Sequence, residues 1–174
     1  MIVNKSFFYW IYVIPRNWKF PIAYKGKLLS KEEYQEYWGK WVILDKREAL
    51  DALAKSLDSY VEDRTIQGIK YSRSPEEIFG INECVMCVFC DDREKEDVWK
   101  ILKQEGVKIK AWVYDREVFD MWSPGGALIE KWLTAHDITG KEADEIREKT
   151  KLNFEKWLST IGKDGQNPWS FEMM

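Results

Sequence analysis

The stretch that decides the fold reads ECVMCVFCDDREKEDVWKILKQEGVKIKAWVY and covers residues 83–114. Residues 84–90 are apolar throughout, which is typical of a central strand covered on both faces. The charged segment that follows has apolar residues at helical spacing and reaches Gly106, a common residue just after a helix. Residues 107–114 alternate strictly, which predicts another strand. One face of that strand carries a basic and aromatic group of four residues: Lys108, Lys110, Trp112 and Tyr114.

Outside this block, hydrophobic patterns predict the remaining elements. Strands are expected where β-branched and aromatic residues are concentrated, at residues 7–14, 40–44 and 65–72. Helices are expected from capping signals and 3.6-residue apolar spacing, at residues 30–38, 45–61, 127–135 and 141–161.

Capping-box spacing marks two of these helix starts, Ser30 with Glu33 and Asp45 with Glu48. Gly39 is expected to end the first helix, because glycine is common immediately after a helix C-terminus. These signals predict where the helices begin and end from local chemistry alone.

The order of the elements indicates a single α+β domain over residues 1–174, with an irregular C-terminal tail at 162–174. The strand at 65–72 and the buried strand at 84–90 are joined by a loop too short for a crossover helix, so we expect them to pair antiparallel. The predicted architecture is therefore a mainly antiparallel, mixed sheet with helices packed on one face.

Composition limits the classes of function. The chain has 174 residues, 15% of them aromatic and ten of them Trp, which implies a substantial packed core. A net charge of −3 argues against bulk electrostatic binding of nucleic acid, although a local basic patch remains compatible with it. Three Cys without disulfide-like spacing, and no visible secretory signal, predict a cytoplasmic protein. No apolar run has the length of a membrane span, so no membrane partner is expected.

Cys84, Cys87 and Cys90 have a spacing that occurs in iron–sulfur ligand runs. On a strand, however, the first and third share one face and Cys87 lies on the other. Core packing is therefore the favoured interpretation, with metal binding as the alternative, and we predict no metal site and no cofactor. His136, the sole histidine, lies near a predicted helix end, where contact with the helix C-terminus is favoured over a role as general acid.

Cations and aromatics on two predicted strands form the candidate binding site. Lys70 and Ser72 share a face of the strand at 65–72. If that face coincides with the basic and aromatic face of 107–114, the surface suits a phosphate-bearing, planar or single-stranded ligand. The alternative is an ordinary solvated sheet face. The predicted ligand-binding residues are Lys70, Ser72, Arg73, Lys108, Lys110, Trp112, Tyr114 and Arg116.

Four segments together resemble an uncharacterised family named for a basophilic-leukaemia-expressed protein. They are GKWVI (39–43), GIKYS (68–72), CVMCVFCDDREKEDV (84–98) and KAWVYD (110–115). The resemblance implies a fold like that of the cap-binding translation initiation factor 4E, with a curved antiparallel sheet and helices on its convex side. Archaeal relatives in the family carry the label phosphothreonine lyase.

The resemblance implies two site chemistries. A cap site would take its aromatic planes and acidic group from Trp18 or Trp38, Trp122 and Glu117. A phosphothreonine lyase would use a lysine base, an acid and cations on the phosphate, drawn from Lys70 or Lys110, His136, and Arg73 with Arg116.

Three hypotheses of function follow. The first is a non-catalytic domain that binds a phosphate-bearing small molecule, an RNA end or a phosphopeptide on the basic and aromatic face. The second is a phosphate-eliminating lyase that uses a lysine of that face. The third is a protein-interaction module that uses exposed helices and the Trp-containing tail.

Overall fold

The computed structural model describes residues 1–5, 9–17, 22–75, 81–117 and 126–161. Within these ranges the strands are β1 (Ile2–Val3), β2 (Trp10–Val13), β3 (Ala23–Tyr24), β4 (Lys27–Leu28), β5 (Trp38–Asp45), β6 (Gly68–Ser72), β7 (Cys84–Asp91) and β8 (Trp112–Tyr114). The helices are α1 (Lys31–Tyr37), α2 (Arg47–Glu62), α3 (Lys95–Gln104), α4 (Ala127–Ala135) and α5 (Gly140–Ile161). Two 3₁₀ turns, Asp92–Glu94 and Asp115–Glu117, follow β7 and β8.

The main sheet runs in the order β1-β2-β6-β7-β5-β8, and β3 and β4 form a separate hairpin. Every pairing between described neighbours of the main sheet is antiparallel, including that of β6 with β7. The predicted α+β class and the antiparallel pairing are therefore confirmed. The β7 strand lies inside the sheet and is buried along its whole length, as its unbroken apolar sequence predicts.

Helices cover both faces of the main sheet, so the prediction of helices on one face is wrong. Leu57 of α2 and Leu102 of α3 belong to one core cluster, which we call the α2/α3 face. Trp132 of α4 and Phe154 of α5 belong to the cluster on the opposite side, the α4/α5 face. The physical reason is that β5 and β7 carry large apolar side chains on both faces, and each face requires a cover.

Local chemistry explains some element boundaries and not others. The Ser30 capping box is present, because the Ser30 hydroxyl accepts from the Glu33 amide while the Glu33 carboxylate accepts from the Ser30 amide. Asp45 is not the N-cap of α2. Lys46 takes that position without a side-chain cap, and Asp45 accepts a bond from the Lys46 amide instead.

Gly39 does not follow the helix as a stop signal, since β5 begins at Trp38 directly after α1. The position requires glycine for a different reason. A Cβ at Gly39 would lie 2.5 Å from Cζ2 of Trp112 and 2.7 Å from the carbonyl oxygen of Val113. The glycine allows β8 and its indole ring to approach β5 closely.

Several predicted boundaries are wider than the observed elements. The β6 strand begins at Gly68 rather than at residue 65, and β8 covers three residues of the predicted 107–114. Residue 111 continues the pairing without strand geometry, because the Val42 amide donates to the Ala111 carbonyl. The predicted tail at 162–174 lies outside the described residues.

Candidate functional site

The strand register places the two predicted basic groups on opposite faces of the main sheet. Lys70 lies opposite Cys87, and Lys40 lies opposite Val113. Cys87 and Val113 both belong to the core cluster of the α4/α5 face. Trp112 packs against the cluster of the α2/α3 face, and Lys110 Nζ lies 5.8 Å from the ring of Trp41 in that cluster. The predicted convergence of Lys70 and Ser72 with Lys110, Trp112 and Tyr114 is therefore wrong, because the sheet separates the two groups. Lys108 precedes β8 and lies at a cavity at the end of the sheet.

The side chains of Lys110, Trp112 and Tyr114 contact α3 and the turn before it. Lys110 Nζ lies 2.7 Å from a carboxylate oxygen of Glu96. The Tyr114 hydroxyl donates to Asp92 at 2.9 Å. These side chains fasten the edge of the sheet to α3, which is a structural role that the alternating sequence pattern also permits.

The two predicted arginines bind backbone carbonyl groups. Arg73 donates to the carbonyl of Lys5. Arg116 donates to the carbonyl of Gln35 at 2.8 Å, and its guanidinium carbon lies 4.2 Å from the Tyr114 ring centroid. These contacts join chain segments around the sheet.

Two buried lysines meet on the α4/α5 face. Lys40 of β5 is 0% exposed and Lys70 of β6 is 2% exposed. Their ammonium nitrogens lie 5.6 Å and 5.8 Å from the centroid of the same ring, that of Phe89 on the intervening β7. Lys70 Nζ also lies 4.8 Å from the Trp10 ring. We call Trp10, Lys40, Lys70 and Phe89 the lysine patch.

Lys40 forms a buried ion pair within this patch. Its Nζ lies 2.5 Å from Oδ1 of Asp115, whose side chain is 8% exposed. The other carboxylate oxygen of Asp115 accepts from the Tyr34 hydroxyl at 2.6 Å. A cation in this position needs such compensation, because moving an ion out of water costs several kcal/mol.

Ser72 and Trp38 add polar groups to the same face. The Ser72 hydroxyl accepts from the Val85 amide at 3.1 Å, which ties β6 to β7 where their ladder ends. The Trp38 ring is stacked between Tyr34 and Phe89, with centroid distances of 6.3 and 6.5 Å. Its buried Nε1 has no hydrogen-bond partner in the described structure. A buried donor without an acceptor costs about 1–3 kcal/mol.

An unpartnered indole does not define a site by itself. Trp112 Nε1 on the α2/α3 face is also buried and has no partner among the described residues. Trp112 lies in an aromatic cluster, with its ring centroid 5.2 Å from that of Trp41. Each indole has a lysine nearby, and the two differ in the burial of that lysine. Lys40, over the Phe89 ring on which Trp38 stacks, is fully buried, whereas Lys95, 5.6 Å from the Trp112 ring, is 28% exposed and paired with Asp92.

His136 caps the C-terminal end of α4, as the favoured interpretation predicts. Its Nδ1 lies 2.8 Å from the Trp132 carbonyl oxygen, and the two rings stack at 4.2 Å. Its Nε2 lies 3.9 Å from a carboxylate oxygen of Glu83. Glu83 lies four residues before Cys87, which is the residue of β7 that pairs with Lys70. Four strand residues span about 13 Å. Lys70 Nζ lies instead beside the Trp10 and Phe89 rings, and the lyase arrangement of His136 with Lys70 or Lys110 stays a prediction.

The three cysteines are free and buried in the core. Cys84 and Cys90 belong to the cluster of the α2/α3 face, and Cys87 belongs to that of the α4/α5 face. Burial raises the pKa of the Cys90 thiol well above its usual value. The sheet thus separates the middle cysteine from its neighbours, as the strand interpretation predicts.

For the cap-site residues, the outcome is mixed. Trp38 is the buried first residue of β5, and Glu117 is exposed at the end of a 3₁₀ turn. Trp18 and Trp122 lie outside the described residues.

Lys40 is the functional candidate that sequence reasoning missed. The signal was a single lysine inside WGKWVILD, a strand that is otherwise apolar except at its last residue. A charged residue at the centre of such a strand is costly unless it is paired. The GKWVI and GIKYS segments each contribute one lysine to the patch. The spacing of residues within one segment cannot show that the two lysines lie on the same face.

Comparison with known proteins gives no match to this chain among protein-family models, curated proteins or solved structures. In the described part of the chain, no helix combines the length and apolar character needed to cross a membrane.

Proposed function

We propose that this protein binds a phosphate-bearing ligand at the lysine patch. The observation that carries the proposal is the burial of Lys40 and Lys70 around one Phe89 ring on a single face of the sheet. Asp115 compensates the charge of Lys40, and the buried Lys70 adds a second cation beside the same ring, which favours an anion. The class of ligand is the one that the sequence predicts. The proposed site lies on the α4/α5 face of the sheet, whereas Lys110 lies on the α2/α3 face.

Phosphate is the anion that this chemistry fits. Lysine binds phosphate as a compact point charge with three donors. Charge-assisted hydrogen bonds are about twice as strong as neutral ones, and a low local dielectric strengthens them further. The Trp38 indole offers one more donor on the same face. The Trp10 ring next to Lys70 makes the surroundings of this cation aromatic.

The likeness to the family with the 4E-like fold is part of the proposal. The α+β class, the antiparallel main sheet and the contribution of one patch lysine by each of the GKWVI and GIKYS segments support it. The presence of helices on both faces departs from a sheet with helices on its convex side alone.

A thermal-shift screen tests the proposal and identifies the ligand class. The screen compares each phosphorylated compound with its dephosphorylated counterpart: mononucleotides, a 5′-phosphorylated oligoribonucleotide and phosphopeptides. Inorganic phosphate is compared with the same buffer without phosphate. A ligand present at one hundred times its Kd stabilises the folded state by about 2.7 kcal/mol. We expect at least one phosphorylated compound to raise the Tm and its dephosphorylated counterpart to leave it unchanged. Equal shifts within every pair, or no shift at all, would contradict the proposal.

The Trp38 indole provides a reading at the site itself. In protein labelled with ¹⁵N at tryptophan, we expect the stabilising compound to move the Trp38 Nε1–H resonance downfield as this donor gains an acceptor. The Trp112 resonance serves as the internal control, because it lies on the other face of the sheet. Movement of Trp112 without Trp38 would place binding on the wrong face.

A further inference from the structure

We infer a second ligand site, for a small organic ammonium compound with an apolar body, at the end of the sheet away from the lysine patch. A cavity of about 720 Å³ opens there between α2, the segment after α3 and the C-terminal end of α4. This volume lies within the range of about 300–1,000 Å³ for small-molecule pockets. The inference is independent of the proposed function.

Part of the wall of this cavity is apolar. Leu44 of β5, Leu53 of α2 and Ile109 line it. Leu44 and Leu53 are 8% and 9% exposed. Such a surface accommodates the hydrocarbon part of a ligand, with a gain of about 25 cal/mol for each Å² removed from water.

The charge at the cavity favours a cation. Three carboxylates line it, those of Asp45, Glu83 and Glu105, against one lysine, Lys108. His136 also lines the cavity and adds positive charge only when protonated. The C-terminal ends of α3 and α4 both lie at the cavity and contribute partial negative charge, whereas the first turn of α2 opposes them.

Glu83 is the carboxylate best placed to hold the ammonium group. Its Oε2 accepts from Trp132 Nε1 at 2.6 Å, which fixes the side chain, and the side chain is 15% exposed. A carboxylate that is already oriented and partly desolvated forms a charge-assisted hydrogen bond with little loss of side-chain entropy. The Trp132 indole also reports on this position, since any change at Glu83 alters the environment of its N–H group.

Titration with matched probes tests the inference. 4-Phenylbutylammonium, 4-phenylbutyrate and 4-phenylbutanol share one apolar body and differ in the charge of the head group. We expect the ammonium compound to shift the Trp132 indole resonance saturably, with an affinity at least about tenfold above that of the carboxylate, which corresponds to about 1.4 kcal/mol. Equal or tighter binding of the carboxylate would overturn the inference, and so would the failure of all three probes to bind saturably.

Three variants locate the binding. Glu83→Gln keeps an acceptor for Trp132 and removes the charge, so we expect it to weaken ammonium binding about fivefold or more. Lys108→Met removes the opposing charge and should tighten binding. Asp97→Asn changes an exposed carboxylate outside the cavity and should leave binding unchanged. The Tm of each variant shows whether it is folded. If folded Glu83→Gln and folded Asp97→Asn bind the ammonium compound with equal affinity, the cavity is not the site.

Discussion

At the scale of the residue, Lys40 and Asp115 depend on each other. Both side chains are withdrawn from water, and the pair lies on a face that is otherwise mostly apolar. The attraction within a buried ion pair offsets desolvation only while both partners are present. A change that removes one charge therefore costs more than the pair contributes, and removing both charges recovers most of that cost.

We predict that Lys40→Met lowers the free energy of unfolding by about 3 kcal/mol, because Asp115 is left charged and buried. The double variant Lys40→Met/Asp115→Asn should recover most of this loss, since the Tyr34 hydroxyl can still donate to the Asn side chain. Urea denaturation at neutral pH measures both values. A double variant no more stable than Lys40→Met would show that the ion pair is not the source of the loss.

Gly39 gives a second prediction at this scale. Gly39→Ala places a methyl group against the Trp112 ring and the Val113 carbonyl at distances that real Cβ atoms do not adopt. Because backbone cannot yield as a flexible side chain does, we expect a loss of about 2 kcal/mol or more. Urea denaturation measures it, and a loss below about 0.5 kcal/mol would contradict the close approach of β8 to β5.

At the scale of the element, sequence patterns predicted which segments fold and failed to predict how they face one another. The apolar spacing of α2 and the unbroken apolar run of β7 identify both elements. Alternation likewise shows which residues of 109–114 share a face, and it fails at Val107, which packs on the other core cluster from Ile109. It cannot match a face of that segment to a face of β6, because the connection passes through β7 and β5. Register and strand order arise from long-range pairing, and a shift of one residue would exchange the faces.

The contact between α4 and α5 yields a prediction about pH. The Arg147 guanidinium donates to both carboxylate oxygens of Glu130 and lowers the pKa of that carboxyl. A lowered folded-state pKa means that this contact stabilises the fold above the ordinary pKa of Glu and is lost as the pH falls through the lowered value. Both side chains are about two-fifths exposed, so solvent screening keeps the effect small.

We therefore expect Glu130→Gln to lower the Tm by about 2 °C at pH 7 and to have a smaller effect near pH 3. Calorimetry at both pH values measures the difference. Lys141→Gln is a suitable control, since its Nζ lies 3.7 Å from Glu145 within one exposed helix. A Glu130→Gln effect that stays constant down to pH 3 would contradict the ion pair as its cause.

At the scale of the whole molecule, the main sheet divides the chain into two cores and separates the two groups of lysines. The α2/α3 face places Lys110 against Glu96, and the α4/α5 face encloses Lys40 and Lys70. This division explains why a site assembled from the sequence alone combined residues that the sheet keeps apart. It also provides a matched pair of variants, because Lys70 and Lys110 differ in the face that they occupy.

The most direct test of the lysine patch is calorimetric titration of the wild type, Lys70→Met and Lys110→Met with the phosphorylated compound that stabilises the protein most. Methionine retains most of the length of the lysine side chain without its charge. A charged hydrogen bond contributes about 1.5–3 kcal/mol, so Lys70→Met should weaken binding at least about tenfold. Lys110→Met should bind as the wild type does. Weakened binding in Lys110→Met, with binding unchanged in Lys70→Met, would contradict the account.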